Sequence, residues 1–237
     1  MAKLFHAERY KLFHNRIFWI TLMGIIVFNL IVISGGAIFR MCGNQALTVV
    51  MRKEILTILI SCIYGGLFIG GDFADRTLYH ALLAGKDRVT VLLAKAIVFF
   101  IANDVILFIF PLLLVIPCAA RNGWGPAPSG GMMLHFGGLI AAFLVLGFAI
   151  GAISLLAAVC FRDVGRTIGV PIVLYFMMIL LLNGPYAAEL AHVFPAGILV
   201  LLADGTVSSA YGILAGIVWL IFLFVISSLI FRHAELN

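Results

Sequence analysis

Long apolar runs, separated by short basic or glycine-rich segments, alternate along this chain of 237 residues. Residues 17–39 show the pattern, because only Thr21, Asn29 and Ser34 are polar there and no residue is charged. A helix rises about 1.5 Å per residue, so about 20 such residues cross the roughly 30 Å hydrocarbon layer of a bilayer. The sequence therefore predicts an all-α membrane protein with six transmembrane helices, at residues 17–39, 55–71, 96–116, 136–161, 167–182 and 211–231.

The distribution of Lys and Arg predicts the orientation of the spans, because short cytoplasmic loops carry an excess of basic residues. With the N-terminus inside, most basic residues fall in inner segments: Lys3, Arg9, Lys11, Arg16, Arg76, Lys86, Arg88, Lys95, Arg162, Arg166 and Arg232. The outer segments then carry Arg40, Arg52, Lys53 and Arg121. Both termini are therefore predicted to be cytoplasmic, with residues 1–16 as a cytoplasmic amphipathic segment.

An apolar insertion, residues 183–210, precedes the last predicted span and contains no Lys or Arg. Its run 193–203 is too short to cross a bilayer. Pro195 suits the start of a helix, and Asp204-Gly205 suits its end. We expect a re-entrant or interfacial helix on the outer side. The alternative, a seventh span, would place the C-terminus outside and strain the charge rule.

Composition supports a single membrane domain, residues 1–237. Charged residues make up 11% of the chain, against about 25% in a soluble domain, and hydrophobic residues make up 64%. The formal net charge of +5 is explained by basic inner loops. Nucleic-acid binding is not expected, because no basic patch with interleaved aromatic residues lies outside the predicted spans.

Cysteine and histidine spacing predicts no metal site, because the four cysteines form no C-x-x-C pair and the histidines are scattered. Cys62 and Cys160 lie inside predicted spans, where a thiol behaves as a small apolar side chain. Cys42 and Cys118 both fall on the predicted outer side. Two free thiols are the favoured interpretation there, and a disulfide between them is the alternative.

The polar segment between the second and third spans, residues 70–95, is the most informative for function. Asp72 suits an N-cap, Asp75 adds a carboxylate at the positive end of a helix, and Gly85 suits a stop. We predict an amphipathic helix at residues 72–85 on the cytoplasmic surface. Its polar face carries Asp75, Arg76, Tyr79 and His80. An ordinary interfacial linker and a docking element for a cytoplasmic partner both fit this pattern.

The same segment carries, in order, Gly71, Asp72, Phe73, Thr77, Leu82, Leu83, Arg88 and Lys95. This order resembles the signature of type-2 ABC exporter permeases, which export drugs, lantibiotics and polysaccharides. The chain departs from the pattern at Arg76, where glycine is usual, and at Asp87, where serine or another small residue is usual. Before the first span, the chain resembles the family's opening amphipathic segment at Glu8, Tyr10, Lys11 and Leu12.

The resemblance implies a permease subunit in a bacterial plasma membrane, with 72–85 as a coupling helix. The subunit would pair with a second permease, as a homodimer or a related heterodimer, and with a cytoplasmic ABC ATPase dimer that binds ATP and Mg. The chain has no G-x-x-x-x-G-K-[ST] loop, so it is expected to be non-catalytic and to hold no cofactor. The cargo would be an amphipathic peptide, a lantibiotic or a hydrophobic drug. The implied ATPase-coupling residues are Asp72, Asp75, Arg76, Thr77, Tyr79, His80, Lys86 and Arg88.

Polar and small residues inside the spans are further candidates. Asn103 and Asp104 lie in the third span, where a polar or charged group is costly and marks a functional site by default. Asp104 either holds helices together, contacts substrate on the pathway, or relays a proton or cation. Gly147 and Gly151 form a G-x-x-x-G pair that favours close helix packing, within one subunit or between two permeases.

Two other function classes stay open beside the exporter. A membrane anchor or sensor without transport of its own would recruit a cytoplasmic partner. A self-sufficient secondary carrier is less favoured, because the sequence has neither inverted repeats nor paired intramembrane charges.

Overall fold

The computed structural model describes residues 2–34, 41–52, 55–75, 77–83, 85–125 and 130–233, and within these residues the chain is helical without β-strands. A π-helical segment, Gly66–Gly70, joins the helix Ile55–Gly65 (α4) to the helix Gly71–Ala74 (α5). The helices are α1 (Ala2–His14), α2 (Arg16–Ser34), α3 (Gly43–Arg52), α4 (Ile55–Gly65), α5 (Gly71–Ala74), α6 (Thr77–Leu83), α7 (Arg88–Asn122), α8 (Gly130–Phe161), α9 (Val164–Leu182), α10 (Ala187–Ala191), α11 (Pro195–Ala203) and α12 (Ser209–His233).

Long apolar helices confirm the membrane architecture in its main features. Within the described residues, five helices are long and apolar enough to cross a bilayer: Thr57–Ala74, Arg88–Asn122, Phe136–Phe161, Val164–Leu182 and Ser209–His233. A sixth span results if Leu4–His14 and Arg16–Ile31, which meet at 53°, count as one. Residues 35–39, the end of the first predicted span, lie outside the described residues.

The bend between α1 and α2 is built by local hydrogen bonds. The Asn15 side chain caps α2, because its Oδ1 accepts a hydrogen bond from the backbone N–H of Ile17 at 2.8 Å. Across the bend, the indole of Trp19 donates to the carbonyl of Phe13 at 2.8 Å. Residues 2–14 therefore form a separate helix before the first span.

Two helices begin earlier than hydropathy predicts, because aspartates cap them. The Asp87 carboxylate accepts from the N–H of Thr90 at 3.1 Å, so α7 starts at Arg88 instead of residue 96. The Asp163 carboxylate accepts from the N–H of Arg166 at 2.9 Å and starts α9 at Val164. Each predicted span began just after the nearest basic residue, whereas the helix itself begins before that residue.

The insertion before the last span folds back into the bundle. Its predicted helix is confirmed as α11, with Pro195 in the first turn and Asp204 at the C-cap. The carbonyl of His192 accepts from the Tyr211 hydroxyl, and that of Val193 accepts from the Trp219 indole, both at 2.8 Å. The break between α10 and α11 therefore lies beside the apolar body of α12. Burial of α11 among α3, α8 and α12 fits a re-entrant helix better than one lying at the interface.

Helix α3 was not predicted, and it covers the same end of the bundle. The backbone N–H of Gly43 donates to the carbonyl of Gly123 at 3.1 Å. Ala46 of α3 packs on Cys118 of α7. Cys42 and Cys118 form no disulfide in the described part of the chain, and neither do Cys62 and Cys160.

Glycines permit the closest helix approaches. A Cβ on Gly65 would lie 2.7 Å from the Cβ of Ser154 in α8, and one on Gly70 would lie 3.2 Å from Thr167 in α9. The second span is therefore wedged between α7, α8 and α9. This close packing holds the π-helical segment Gly66–Gly70 against α9.

Replacing Gly197 by alanine tests the contact between α10 and α11. The new Cβ would lie 2.6 Å from the Cα of Ala191, which is backbone and cannot turn aside. We expect a loss of stability of about 1–3 kcal/mol from overpacking, seen as a lower melting temperature in detergent. The matched control is Gly169→Ala, where the Cβ meets nothing within 4 Å. Equal melting temperatures for the two variants would contradict the close contact.

Candidate functional site

A buried lysine organises the end of the bundle at which α1, α6 and the start of α7 meet. The Lys95 side chain is only 2% exposed. Its Nζ lies 3.2 Å from Glu8 Oε2 and also contacts Asp72 Oδ2. A buried ammonium group is strongly unfavourable unless it is paired and hydrogen-bonded. The two carboxylates are therefore required partners of Lys95.

Three segments far apart in the sequence supply this charge network, which consists of Glu8, Asp72, Thr77 and Lys95. Glu8 comes from α1, Asp72 from the end of the second span, and Lys95 from α7. Thr77, the first residue of α6, donates from Oγ1 to Asp72 Oδ1 at 2.7 Å. The network thus ties α6 to α1, to the second span and to α7.

Two further side chains complete the electrostatics of the network. Lys11 Nζ lies 3.7 Å from Glu8 Oε1 and is half-exposed, so two ammonium groups face two carboxylates. The ring centroid of Phe68 lies 3.8 Å from Lys95 Nζ, in cation–π geometry. Phe68 belongs to the π-helical segment, and π-helical turns are frequent at functional sites. The segment therefore sets the ring beneath the lysine.

The last helix is attached to the same end of the bundle. Arg88 Nη1 donates to the carbonyl oxygens of Phe231 at 3.4 Å and Arg232 at 3.0 Å. These carbonyls belong to the last turn of α12, where a cation is favourable. Phe73 meets Phe231 edge to face, with ring centroids 5.9 Å apart. Movement of α5 or of the start of α7 would therefore also displace the end of α12.

The predicted helix at 72–85 requires correction. Asp72 does not cap a new helix: Gly70 precedes it in helical conformation, and α5 continues the second span to Ala74. Asp75 lies in a turn, and the separate helix α6 covers only Thr77–Leu83. The reason is that the Asp72 carboxylate is taken by Lys95 and Thr77 instead of backbone N–H groups.

The predicted coupling residues are distributed over this end of the bundle. Leu78 anchors α6 in the hydrophobic core, whereas Leu83 is 83% exposed. Asp75 and Lys86 are exposed on either side of α6. The backbones of Tyr79 and His80 belong to α6, and Arg76 lies outside the described residues.

A cavity of about 370 Å³, lined by both polar and apolar side chains, borders the network. Tyr10, Lys11 and His14 line it from α1, while Asp72, Asp75 and Lys95 line it from the other side. Solvent or a ligand in this cavity would contact the network directly.

The intramembrane candidates lie elsewhere, about 13 Å along α7 from Lys95. Asn103 is fully buried: its Oδ1 accepts from the Ser61 hydroxyl, and its Nδ2 donates to the carbonyl of Gly147 at 3.5 Å. Asp104 is also buried, and neither carboxyl oxygen has a hydrogen-bond partner in the described part of the chain. The two residues therefore belong to a helix contact that is separate from the charge network.

The G-x-x-x-G pair receives these two side chains. A Cβ on Gly147 would lie 2.5 Å from Asp104 Oδ1, and one on Gly151 would lie 3.1 Å from Asn103 Nδ2. Both glycines thus make room for α7 of the same chain. This geometry favours packing within one subunit over a contact between two permeases.

Sequence reasoning missed the meeting of Glu8 with Lys95 and Asp72. It matched these residues to the family pattern separately, as parts of two segments. A usable signal was present, because all three charges flank apolar spans on the same predicted side of the membrane. A comparison with protein-family models and with curated proteins finds no match to this chain. Membership of the exporter permeases therefore stays a prediction.

Replacing Lys95 by methionine tests the network. The change leaves the Glu8 and Asp72 carboxylates without their shared partner, and we expect it to destabilise the protein by about 3–5 kcal/mol. The measurement is thermal unfolding in detergent.

Two further variants serve as controls for that experiment. Lys11→Met, which removes an exposed partner of Glu8, should cost about 0–1 kcal/mol. Combining Lys95→Met with Glu8→Gln and Asp72→Asn should restore much of the lost stability, because no buried charge is then left alone. A triple variant less stable than Lys95→Met alone would contradict this account.

Proposed function

We propose that the chain is the permease subunit of an ATP-driven exporter in a bacterial plasma membrane. In this proposal both termini are cytoplasmic, and a separate ATPase dimer supplies the energy by acting on α6 and its flanking turns. The observation that carries the proposal is the attachment of α6 through Thr77 and Asp72 to Lys95 and Glu8. The resemblance of the 71–95 segment to type-2 exporter permeases gives this attachment its functional interpretation.

The charge network suits mechanical coupling because it is contiguous and its Lys95–Glu8 pair is buried. A displacement of α6 changes the position of Thr77, and its hydrogen bond transmits the change to Asp72. From Asp72 the displacement reaches α7 through Lys95 and α1 through Glu8. Packed side chains and ion pairs of this kind carry coupling between sites when the elements that they join have two arrangements.

The surface around α6 suits a protein partner. Leu83 is a large apolar side chain left exposed, and the charged residues Asp75 and Lys86 lie exposed on either side of α6. Protein–protein interfaces combine an apolar centre with a polar rim. The proposed partner is a groove on the ATPase.

The cargo in this proposal is an amphipathic peptide, a lantibiotic or a hydrophobic drug, as the resemblance implies. The route would lie between this permease and a second one, identical or related. Asn103 and Asp104 face α8 of their own chain. We therefore assign them first to the packing that holds the subunit together.

One observation favours a second candidate, a membrane sensor without transport of its own. The cavity beside the network is lined by Lys11, His14 and Asp75, so a bound ligand would lie between α1 and the turn that precedes α6. In this alternative, α6 recruits a cytoplasmic partner in response to the ligand. The exporter is preferred because it explains why α12 is also tied to this end.

A single cysteine at Asp75 tests the docking surface and its side of the membrane. In a background without the four native cysteines, Asp75→Cys should cross-link to a co-purified ATPase. A membrane-impermeant thiol reagent should label it only after cells are permeabilised. The matched control is Asp204→Cys at the opposite end, which should be labelled in intact cells and give no adduct. Labelling of both positions from outside would overturn the proposed orientation, and an intact complex without an adduct would count against docking at α6.

Replacing Thr77 by valine tests coupling without removing a buried charge. The variant loses a hydrogen bond to the Asp72 carboxylate, worth about 1.5–3 kcal/mol, while side-chain volume is nearly kept. We expect the complex to keep hydrolysing ATP but to transport less cargo per ATP in proteoliposomes. The control is Thr206→Val, which removes a hydroxyl bonded to the Leu201 carbonyl at the other end. Unchanged transport per ATP in Thr77→Val would contradict a coupling role.

A further inference from the structure

A second cavity, of about 310 Å³, lies within the membrane-spanning part of the bundle. It is separate from the charge network and from Asn103 and Asp104. Every residue that lines it is apolar, aromatic or cysteine. A site of this composition offers almost nothing to a water molecule, which needs two to four polar partners to be held.

The cavity is a groove over α8, between α9 and α12. Ile150 and Ile153 of α8 form its floor. Met178 of α9 and Leu223 of α12 belong to its two walls. Phe194, at the break between α10 and α11, closes one end. Cys62 of α4 also lines the cavity, so five different parts of the chain shape the groove.

The closing end is rigid because its backbone polar groups are satisfied. The carbonyls of His192 and Val193 accept hydrogen bonds from Tyr211 and Trp219 of α12. Irregular backbone at membrane depth is tolerated only where such partners exist. The Trp219 ring both makes one of these bonds and lines the groove.

The groove opens towards the surface that faces lipid. On α9, Met177 is 56% exposed and Leu174 is 50% exposed, whereas Met178 is only 8% exposed. Of the candidate spans, α9 and α12 bury the smallest shares of their residues, 22% and 17%. The groove is thus continuous with the apolar surface that these two helices present to the bilayer.

Its dimensions match one hydrocarbon chain. Along α9 the lining runs from Pro171 to Leu181, which is about 15 Å at helical rise, or half of the roughly 30 Å hydrocarbon layer. The volume of about 310 Å³ spread over that length leaves a cross-section of about 20 Å², too narrow for a helix of about 10 Å diameter.

We infer that this groove binds one acyl chain of a bilayer lipid, taken from the leaflet on the side of α10 and α11. Side chains that line a void lack dispersion contacts on their open side. An acyl chain in the groove supplies those contacts. The bound acyl chain also packs against the break between α10 and α11. The bound lipid is therefore expected to stay when ordinary surrounding lipid is washed away.

Fluorescence of Trp219 tests this inference in the full-length chain. Trp19 and Trp124 are replaced by phenylalanine, and the protein is reconstituted with phosphatidylcholine carrying brominated acyl chains, which quench tryptophan on contact. After extensive washing in detergent, we expect Trp219 to lose most of its fluorescence. A version that keeps Trp19 alone, on the lipid-facing side of α2, should recover its fluorescence after the same washing.

A groove-filling variant separates specific binding from general lipid contact. Leu174→Phe with Met177→Phe should abolish the retained quenching of Trp219. The matched control is Val173→Phe with Leu180→Phe, which adds the same rings to exposed positions of α9 outside the groove and should leave quenching unchanged. If the single-tryptophan background does not fold, the difference between the intact chain and its Trp219→Phe variant gives the same signal.

Three outcomes would overturn the inference. The first is full recovery of Trp219 fluorescence after washing, which would show that the groove makes only ordinary, exchangeable contact with lipid. The second is displacement of the brominated lipid by an amphipathic peptide at low concentration, which would assign the groove to cargo. The third is disulfide-linked dimer formation by Met177→Cys in a membrane, which would assign it to a second copy of the chain.

Discussion

The burial of one ammonium group constrains the whole polar end of this protein. The Lys95 side chain is almost fully buried, so its charge is tolerable only with Glu8 and Asp72 in contact. Meeting that requirement brings α1 and the second span against α7. It also removes Asp72 from the cap of the next helix, which therefore starts at Thr77. The length and position of α6 are thus consequences of the lysine.

Hydropathy and charge predicted the membrane class, the approximate spans and a short re-entrant or interfacial helix at Pro195, because these depend on local composition. The helix starts at Arg88 and Val164 depend on single capping aspartates, which a hydropathy window does not weigh. The predicted N-cap role of Asp72 was wrong for a different reason. Its carboxylate had two possible partners, backbone N–H groups or Lys95, and only the tertiary structure decides between them.

The candidate sites also combine features that local sequence predicts with features that only the tertiary structure shows. The sequence identified Asn103 and Asp104 as costly residues and Gly147 and Gly151 as a close-packing pair, but it did not indicate that these two features meet. Such a pairing depends on the axial register of α7 against α8, and register between helices is set by packing over many residues. The α3 helix was missed because the segment between the first two spans was treated as a loop.

The two ends of the bundle use different means to satisfy polar groups in an apolar setting. One end uses ion pairs, and its Arg88 bonds to α12 carry that attachment into the last helix. The other uses neutral hydrogen bonds, from Tyr211 and Trp219 to the carbonyls of the α10–α11 break. Helix α12 takes part in both, yet few of its residues are fully buried. It is therefore the element that joins the end carrying the charge network to the α10–α11 break and to the groove beside it.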